Sequence, residues 1–335
     1  MHVVEVPEPA APAPGEVLVR PEAVGLCGSD FHYYLGDIGG LDDADRYPRV
    51  QGHEVCAVVE AAGPGCPEAL TPGTRVALWP VGACGECYAC RIGRGNACER
   101  IRLIGIHRDG ALQERLLVPA GQVFPLREDE PAVGALVEPV SIAVRAVVRG
   151  RVADGERVVV FGAGPIGQAV ALAASDRGAS VLLVDRVESR LERCGIAGTE
   201  TLAADDRDEV AAGVREWTGG EAPEVVVEAT GVPELVQDAC DLVAQAGRVL
   251  VVGLSARPAP LVVGNLAFRE LDLLGVSCCG ADEFAAAADL VARRRDEART
   301  LVTHEFPLER AAEAIEFAIA NPGEVTKAVI RLDGR

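Results

Sequence analysis

Residues 157–167 read RVVVFGAGPIG. The apolar, β-branched start has the length of a buried strand, and Gly162-Ala163-Gly164-Pro165-Ile166-Gly167 is G-x-G-x-x-G. Alone that hexapeptide is weak. Here it follows a strand and opens the helical pattern PIGQAVALAASDRG, the setting in which it marks a dinucleotide site. Gly162 makes the tight turn, Gly164 lets a pyrophosphate approach the backbone, and Gly167 permits close helix–strand packing. Pro165 suits the first helical turn, where its missing N–H costs nothing, and the helix N-terminus faces the pyrophosphate. The next strand, VLLV, ends at Asp185, 21 residues after Gly164. A carboxylate there accepts hydrogen bonds from the adenosine ribose and repels a 2′-phosphate, favouring NAD over NADP. Arg186 beside it pulls the other way, because an arginine accommodates that phosphate. The alternative is a similar domain that binds no nucleotide, with Asp185 merely exposed at a strand end.

Working outward, helices and strands alternate from about residue 139. PVSIAVRAVVRG, ESRLERCG and PELVQDACDLVAQAG read as helices, and EVVVEATG, RVLVVG and LDLLGVS as strands. Continuous apolar strands between helices predict a doubly wound parallel sheet. The first 140 residues differ: EVLVRPEAVG, EVCAVVEAAG and TRVALWPVG are β-rich and separated by Gly and Pro. After residue 280 come two helices, DEFAAAADLVARRR and PLERAAEAIEFAIA, and a closing strand, KAVIRL. The expected organisation is a β-rich domain over 1–140, a dinucleotide-binding domain over 141–280, and a C-terminal segment over 281–335.

The 335 residues carry a net charge of −19, with 49% apolar and 25% charged residues. That balance is globular, and the charge repels nucleic acid and anionic membranes. Arg293, Arg294 and Arg295 read as the solvated face of an alternating-charge helix. We expect no apolar window of about 20 residues and no secretory signal at the start. The chain is expected to be cytoplasmic, where eleven cysteines imply metal ligands and buried thiols before disulfides.

Cys84, Cys87, Cys90 and Cys98 follow the spacing C-x2-C-x2-C-x7-C. Four thiolates so close can surround one zinc ion tetrahedrally, and a closed four-sulfur shell is structural rather than catalytic. Two disulfides are the rival reading. A second set of candidate ligands is scattered: Cys27 in GLCGSD, His53 and Glu54 in QGHE, and Glu138 in LVEPV. Each has a plain alternative, as a buried thiol, a core histidine or a helix-start carboxylate.

GLCGSD, GHE, the four-cysteine lobe, LVEP and GAGPIG occur in the order found in zinc-dependent medium-chain dehydrogenases, and the resemblance spans nearly the whole chain. Cys27-Gly-Ser-Asp-Phe-His-Tyr-Tyr34 is similar to the sorbitol and polyol dehydrogenase branch, in which Glu138 replaces a ligand cysteine of other alcohol dehydrogenases. The resemblance implies an α/β protein: a GroES-like catalytic domain made from both chain ends, plus a Rossmann domain. It implies two zinc ions per chain. Cys27 and His53 would bind the reactive one, with either Glu138 or Glu54 as third ligand, leaving one position for a substrate oxygen. Zinc acidifies an alcohol, and hydride then passes to NAD. Ser29 would take the alcohol proton and His32 relay it to solvent through the cofactor ribose, while Tyr33 would contact a substrate hydroxyl or simply pack. Arg190 resembles a position flanking the adenine.

Three departures stand out. Relatives usually carry an extra strand before VVEVPEP. Gly275-Val276-Ser277-Cys278-Cys279 aligns where sorbitol dehydrogenases have an arginine and an aromatic near the substrate. Gln51 replaces the commoner Leu or Pro. The implied activity is reversible, NAD-linked oxidation of a secondary alcohol in a polyol, sugar or cyclitol. The alternatives are a threonine- or butanediol-type dehydrogenase or a non-catalytic relative binding zinc or nucleotide. The expected partners are a small alcohol or ketone and copies of the same chain in a homodimer or homotetramer.

Overall fold

The computed structural model describes residues 1–36 and 47–332. The chain divides into two compact units, Met1–Ser141 with Cys278–Arg295 and Val302–Arg335, and Ile142–Ser277 with Asp296–Leu301. The strands are β1 Glu16–Gly25, β2 Glu54–Ala62, β3 Arg75–Leu78, β4 Val81–Gly82, β5 Arg102–Leu103, β6 Leu116–Pro119 and β7 Val123–Pro125, followed by β8 Arg157–Phe161, β9 Ser180–Asp185, β10 Thr199–Ala203, β11 Val225–Glu228, β12 Arg248–Val251 and β13 Asp272–Gly275, and finally β14 Val302–Pro307 and β15 Lys327–Arg331.

The first unit is built on a seven-stranded sheet in the order β14-β15-β1-β2-β3-β7, with β6 also on β1. β1 begins with alternating inward residues, Val17 and Val19, and then becomes buried on both faces from Pro21 to Gly25. The change coincides with a register shift between Pro21 and Ala23, where a bulge re-aims the strand. Beyond it, Gly25 pairs with Glu54 of β2 on one side and Val329 of β15 on the other. The C-terminal strand thereby lies beside the segment that leads into Cys27.

The second unit is a six-stranded parallel sheet in the order β10-β9-β8-β11-β12-β13, the 3-2-1-4-5-6 arrangement of a dinucleotide-binding fold. Val158, Val159 and Val160 are fully buried, as a central parallel strand covered by helices requires.

Among the elements that escape the sequence patterns are the short strands β5, β6 and β7, the helix Gly28–Leu35, β10, the helix Arg207–Trp217, the helix Val263–Phe268 and β14. β10 (TETLA) is an edge strand with a mostly exposed surface, so it lacks an apolar run. The helix Arg207–Trp217 is fixed by its cap, since Asp206 accepts the N–H groups of Asp208 and Glu209. The three-arginine run does not sit on one helix face. The helix ends at Arg293, and Arg295 opens the next, with its guanidinium 3.0 Å from both Glu128 and Glu130. One stretch among the described residues, Pro131–Arg149, is long and apolar enough to cross a membrane, contrary to the sequence expectation. It is mostly buried inside the protein, as core helices are.

Candidate functional site

The four lobe cysteines converge. All four Sγ atoms lie within 4.8 Å of one another, with separations of 3.5 Å for Cys87–Cys90 and 3.9 Å for Cys84–Cys90 and Cys87–Cys98. A tetrahedron with Zn–S bonds of about 2.3 Å has edges of about 3.8 Å, so the sulfurs fit a zinc ion. They are far beyond the ~2.05 Å of a disulfide. The backbone N–H groups of Cys84 and Arg100 donate to Cys98 Sγ at 3.2 and 3.3 Å. Arg100 Nη2 reaches Cys84 Sγ at 3.3 Å and brings that thiol down to about 5, with help from the backbone at Glu86 and Cys87. Desolvation, then the neighbouring Cys87, pushes Cys90 up to about 12. The lobe thus shares negative charge that a dication would neutralise.

Cys27, His53 and Glu54 form a second group whose ligand atoms lie within 4.8 Å. β1 and its bulge deliver Cys27, which precedes the helix Gly28–Leu35. Asp30 Oδ2 accepts the Cys27 N–H at 2.9 Å, and its Oδ1 lies 3.9 Å from His53 Nδ1, too long for a hydrogen bond. Gln51 Nε2 donates to the Asp30 carbonyl at 3.2 Å. The unusual Gln51 therefore ties the QGHE segment to the GLCGSD segment.

Glu54 is buried, and Lys327 Nζ donates to its two oxygens at 2.6 and 2.7 Å. Glu138 is buried at the start of the helix Val137–Arg149. Burial pushes its carboxyl up to about 7, His53 and Lys327 opposing, Glu54 and Asp30 adding to it. Burial also raises Asp30 against the pull of His53. His53 is held well above its ordinary value: burial opposes its charge, but Asp30, Cys27 and Glu138 outweigh that. Three carboxyls and a thiol thus face one histidine and one lysine, an electrostatic setting that fits an added cation. Two shielded polar atoms, Ser29 Oγ and His53 Nδ1, have no hydrogen-bond partner among the described residues, which also fits a site shaped for a bound group.

His32 is exposed on its helix. Tyr33 is buried, with its ring edge-on to Tyr47 at 4.9 Å and its carbonyl accepting the Tyr47 hydroxyl at 2.6 Å. Of the two readings of Tyr33, this environment supports packing. Cys279 is buried and donates to Ser141 Oγ at 3.1 Å. Burial pushes its thiol up to about 12. Sequence reasoning did not single out Asp30 or Lys327. Asp30 was visible inside GLCGSD, and Lys327 as a lysine opening the strand KAVIR ahead of three apolar residues.

In the second unit β8 runs into Gly162, whose φ is 100°, and then into the helix Pro165–Asp176. Asp185 Oδ2 accepts the Ala163 N–H at 2.7 Å, and Oδ1 accepts that of Val187 at 2.8 Å. The carboxylate therefore braces the glycine-rich loop. Gln168, fully buried, donates to the Ala163 carbonyl at 2.9 Å. Arg190 Nη1 lies 3.5 Å from Asp185. Gly162, Gly164, Asp185, Arg186, Arg190 and Thr230 line a cleft of about 840 Å³, while Ile166 lies half-buried in the first helical turn. A Cβ on Gly167 would stand 1.7 Å from the Gly162 carbonyl oxygen. Gly167→Ala must displace the loop backbone, and we expect a loss of about 3 kcal/mol in stability, the upper end of overpacking costs, with NADH binding severely weakened. Urea unfolding and NADH fluorescence titration check this. A stable variant with normal NADH affinity would refute the close approach.

Comparison with known proteins agrees with both units. Residues 13–128 match the alcohol dehydrogenase GroES-like domain, and residues 165–293 match the zinc-binding dehydrogenase domain. L-galactonate-5-dehydrogenase of Escherichia coli is 34% identical over 321 residues, covering 95% of this chain and 93% of that protein. Sorbitol dehydrogenase of Ovis aries is 34% identical over 335 residues, covering 98% and 92%. Among solved structures, an Escherichia coli short chain alcohol dehydrogenase (rspB) complexed with NADH superposes with a TM-score of 0.86 at 29% identity, covering 97% of this chain and 94% of that one. With both domains matched in order and relatives aligned along almost their full length, the chain belongs to the zinc-dependent medium-chain alcohol dehydrogenases, near their polyol branch.

Proposed function

We propose that this protein is an NAD-dependent zinc enzyme that interconverts a secondary alcohol of a polyol, sugar or cyclitol with its ketone. The observation that carries this reading is the convergence of Cys27, His53 and the buried carboxylate Glu54, with Ser29, two residues after Cys27, holding a shielded hydroxyl that has no hydrogen-bond partner among the described residues. Zinc bound there supplies the Lewis acidity that makes an alcohol a hydride donor to NAD. Ser29 would take the alcohol proton while giving up its own through the cofactor ribose to exposed His32, which would release it to solvent. Cys27 and His53 hold the metal. Glu138 completes the set, because both oxygens of Glu54 are engaged by Lys327. Asp185 and Arg190 line the cleft, where Asp185 would accept from the ribose hydroxyls and Arg190 would flank the adenine. The lobe cysteines hold a second, structural zinc.

Elemental analysis of gently purified protein should give about two zinc ions per chain; one or none would sink the two-site reading. Glu138→Ala should lose the reactive-site zinc, whereas Glu54→Ala should cost roughly 10–100-fold in affinity or activity. Full metal in Glu138→Ala with loss in Glu54→Ala would reverse the assignment. NADH absorbance across polyols, diols, amino alcohols and cyclitols identifies the substrate class, and turnover confined to threonine or butanediol would favour that alternative. No disulfide joins the cysteines among the described residues, which supports a reducing, cytoplasmic setting. The open edge of β13 and the exposure of Phe268 and Leu254, at 92% and 81%, support a homodimer or homotetramer, which light scattering checks.

A further inference from the structure

Lys327 opens β15 with its side chain 1% exposed, as is that of Glu54. An ammonium has three donors, and here all three have acceptors: Glu54 Oε1 at 2.6 Å, Glu54 Oε2 at 2.7 Å and the Leu26 carbonyl at 2.9 Å. Leu26 immediately precedes Cys27, and Glu54 immediately follows His53. The Leu26 N–H is held as well, by the Ala328 carbonyl at 2.9 Å. On its other side Glu54 rests against Gly25, where a Cβ would meet Oε2 at 2.1 Å. The carboxylate is nested between a backbone stripped of its side chain and an ammonium on a different strand.

Stability does not account for this arrangement, since replacing a buried ion pair by apolar residues is often neutral or stabilising. Its position does, because one ammonium touches the two segments that carry Cys27 and His53. We infer that Lys327 is a positioning residue of the reactive metal site, fixing the Leu26–Cys27 peptide and the His53–Glu54 segment in a single frame so that the Cys27 thiolate and the His53 imidazole keep their places around the ion. The inference rests on the proposal that Cys27 and His53 hold a metal.

The test uses the full-length, zinc-loaded protein and the variants Lys327→Met, Lys327→Arg and Lys327→Met combined with Glu54→Gln. The last leaves no buried charge unpaired and keeps the test open if Lys327→Met fails to fold. Zinc release to a colorimetric chelator is followed, with the slower lobe zinc as internal reference, together with the visible spectrum of protein carrying Co2+ at the reactive site. Both Lys327→Met proteins should release the reactive zinc roughly 10–100-fold faster, with altered Co2+ bands and unchanged lobe release. Lys327→Arg should recover part of the slow release. A double variant with wild-type release and spectrum would overturn the inference, leaving Lys327 as a counter-charge only. A wild-type chain that binds zinc only in the lobe would overturn the metal-site reading itself, and this role with it.

Discussion

Cys98→Ser should strip the lobe of its zinc and lower the melting temperature by on the order of 10 °C or more. Loss of a structural metal belongs to the few single changes that cost more than about 4 kcal/mol, and in large domains each kcal/mol moves the midpoint by roughly 2–4 °C. The reason is local. Residues 83–101 contain only a four-residue helix, Tyr88–Arg91, and a three-residue 3-10 turn, Gly95–Ala97. So little regular structure cannot hold four thiols together, and the ion supplies folding free energy directly. Cys98 also collects the Cys84 and Arg100 N–H groups, which lose an acceptor. Scanning calorimetry with zinc analysis reads both effects. A soluble Cys98→Ser protein with one zinc fewer and an unchanged midpoint would show that the lobe is not structural.

Asp185→Ser should cut kcat/KM for NAD by about 100-fold and narrow or invert the preference over NADP. Wild type should favour NAD at least tenfold, which is about 1.4 kcal/mol of discrimination. Removing the carboxylate removes its repulsion of a 2′-phosphate and frees Arg186 to pair with one. It also removes the acceptor for the Ala163 and Val187 N–H groups, each a charge-assisted bond of about 1.5–3 kcal/mol. The glycine-rich loop loses its brace, so NAD efficiency suffers beyond the lost ribose contact. Asp185→Asn separates the two causes, because it keeps the size and loses the charge. Steady-state rates with both cofactors decide the matter. A wild-type preference for NADP, or an unchanged ratio in Asp185→Ser, would mean that Arg186 already governs the cleft.

Features written in short contiguous stretches were legible in the sequence. The strand–glycine loop–helix junction at 157–176 and the four-cysteine run are encoded by local spacing, and the buried valines of β8 carry an unmistakable apolar run. Other features depend on partners far away in the chain. β10 has no apolar signature because it closes a sheet edge, and its strand character comes from pairing with β9. Cys27 is far in sequence from the adjacent His53 and Glu54, and the pairing of Gly25 with Glu54 across β1 and β2 explains their meeting. Lys327 was invisible as a site residue because its acceptors lie 301 and 273 positions away.

That distance sets an order of events during synthesis. The lobe ligands fall within residues 84–98, so the lobe can close around its ion as soon as that stretch leaves the ribosome. On the proposed role of Lys327, the reactive centre is not framed until β15 has been made and has added itself beside β1, a contact of very long loop closure. A nascent or C-terminally truncated chain would therefore carry its structural ion without an assembled reactive site, and hydride chemistry would begin only on a finished molecule.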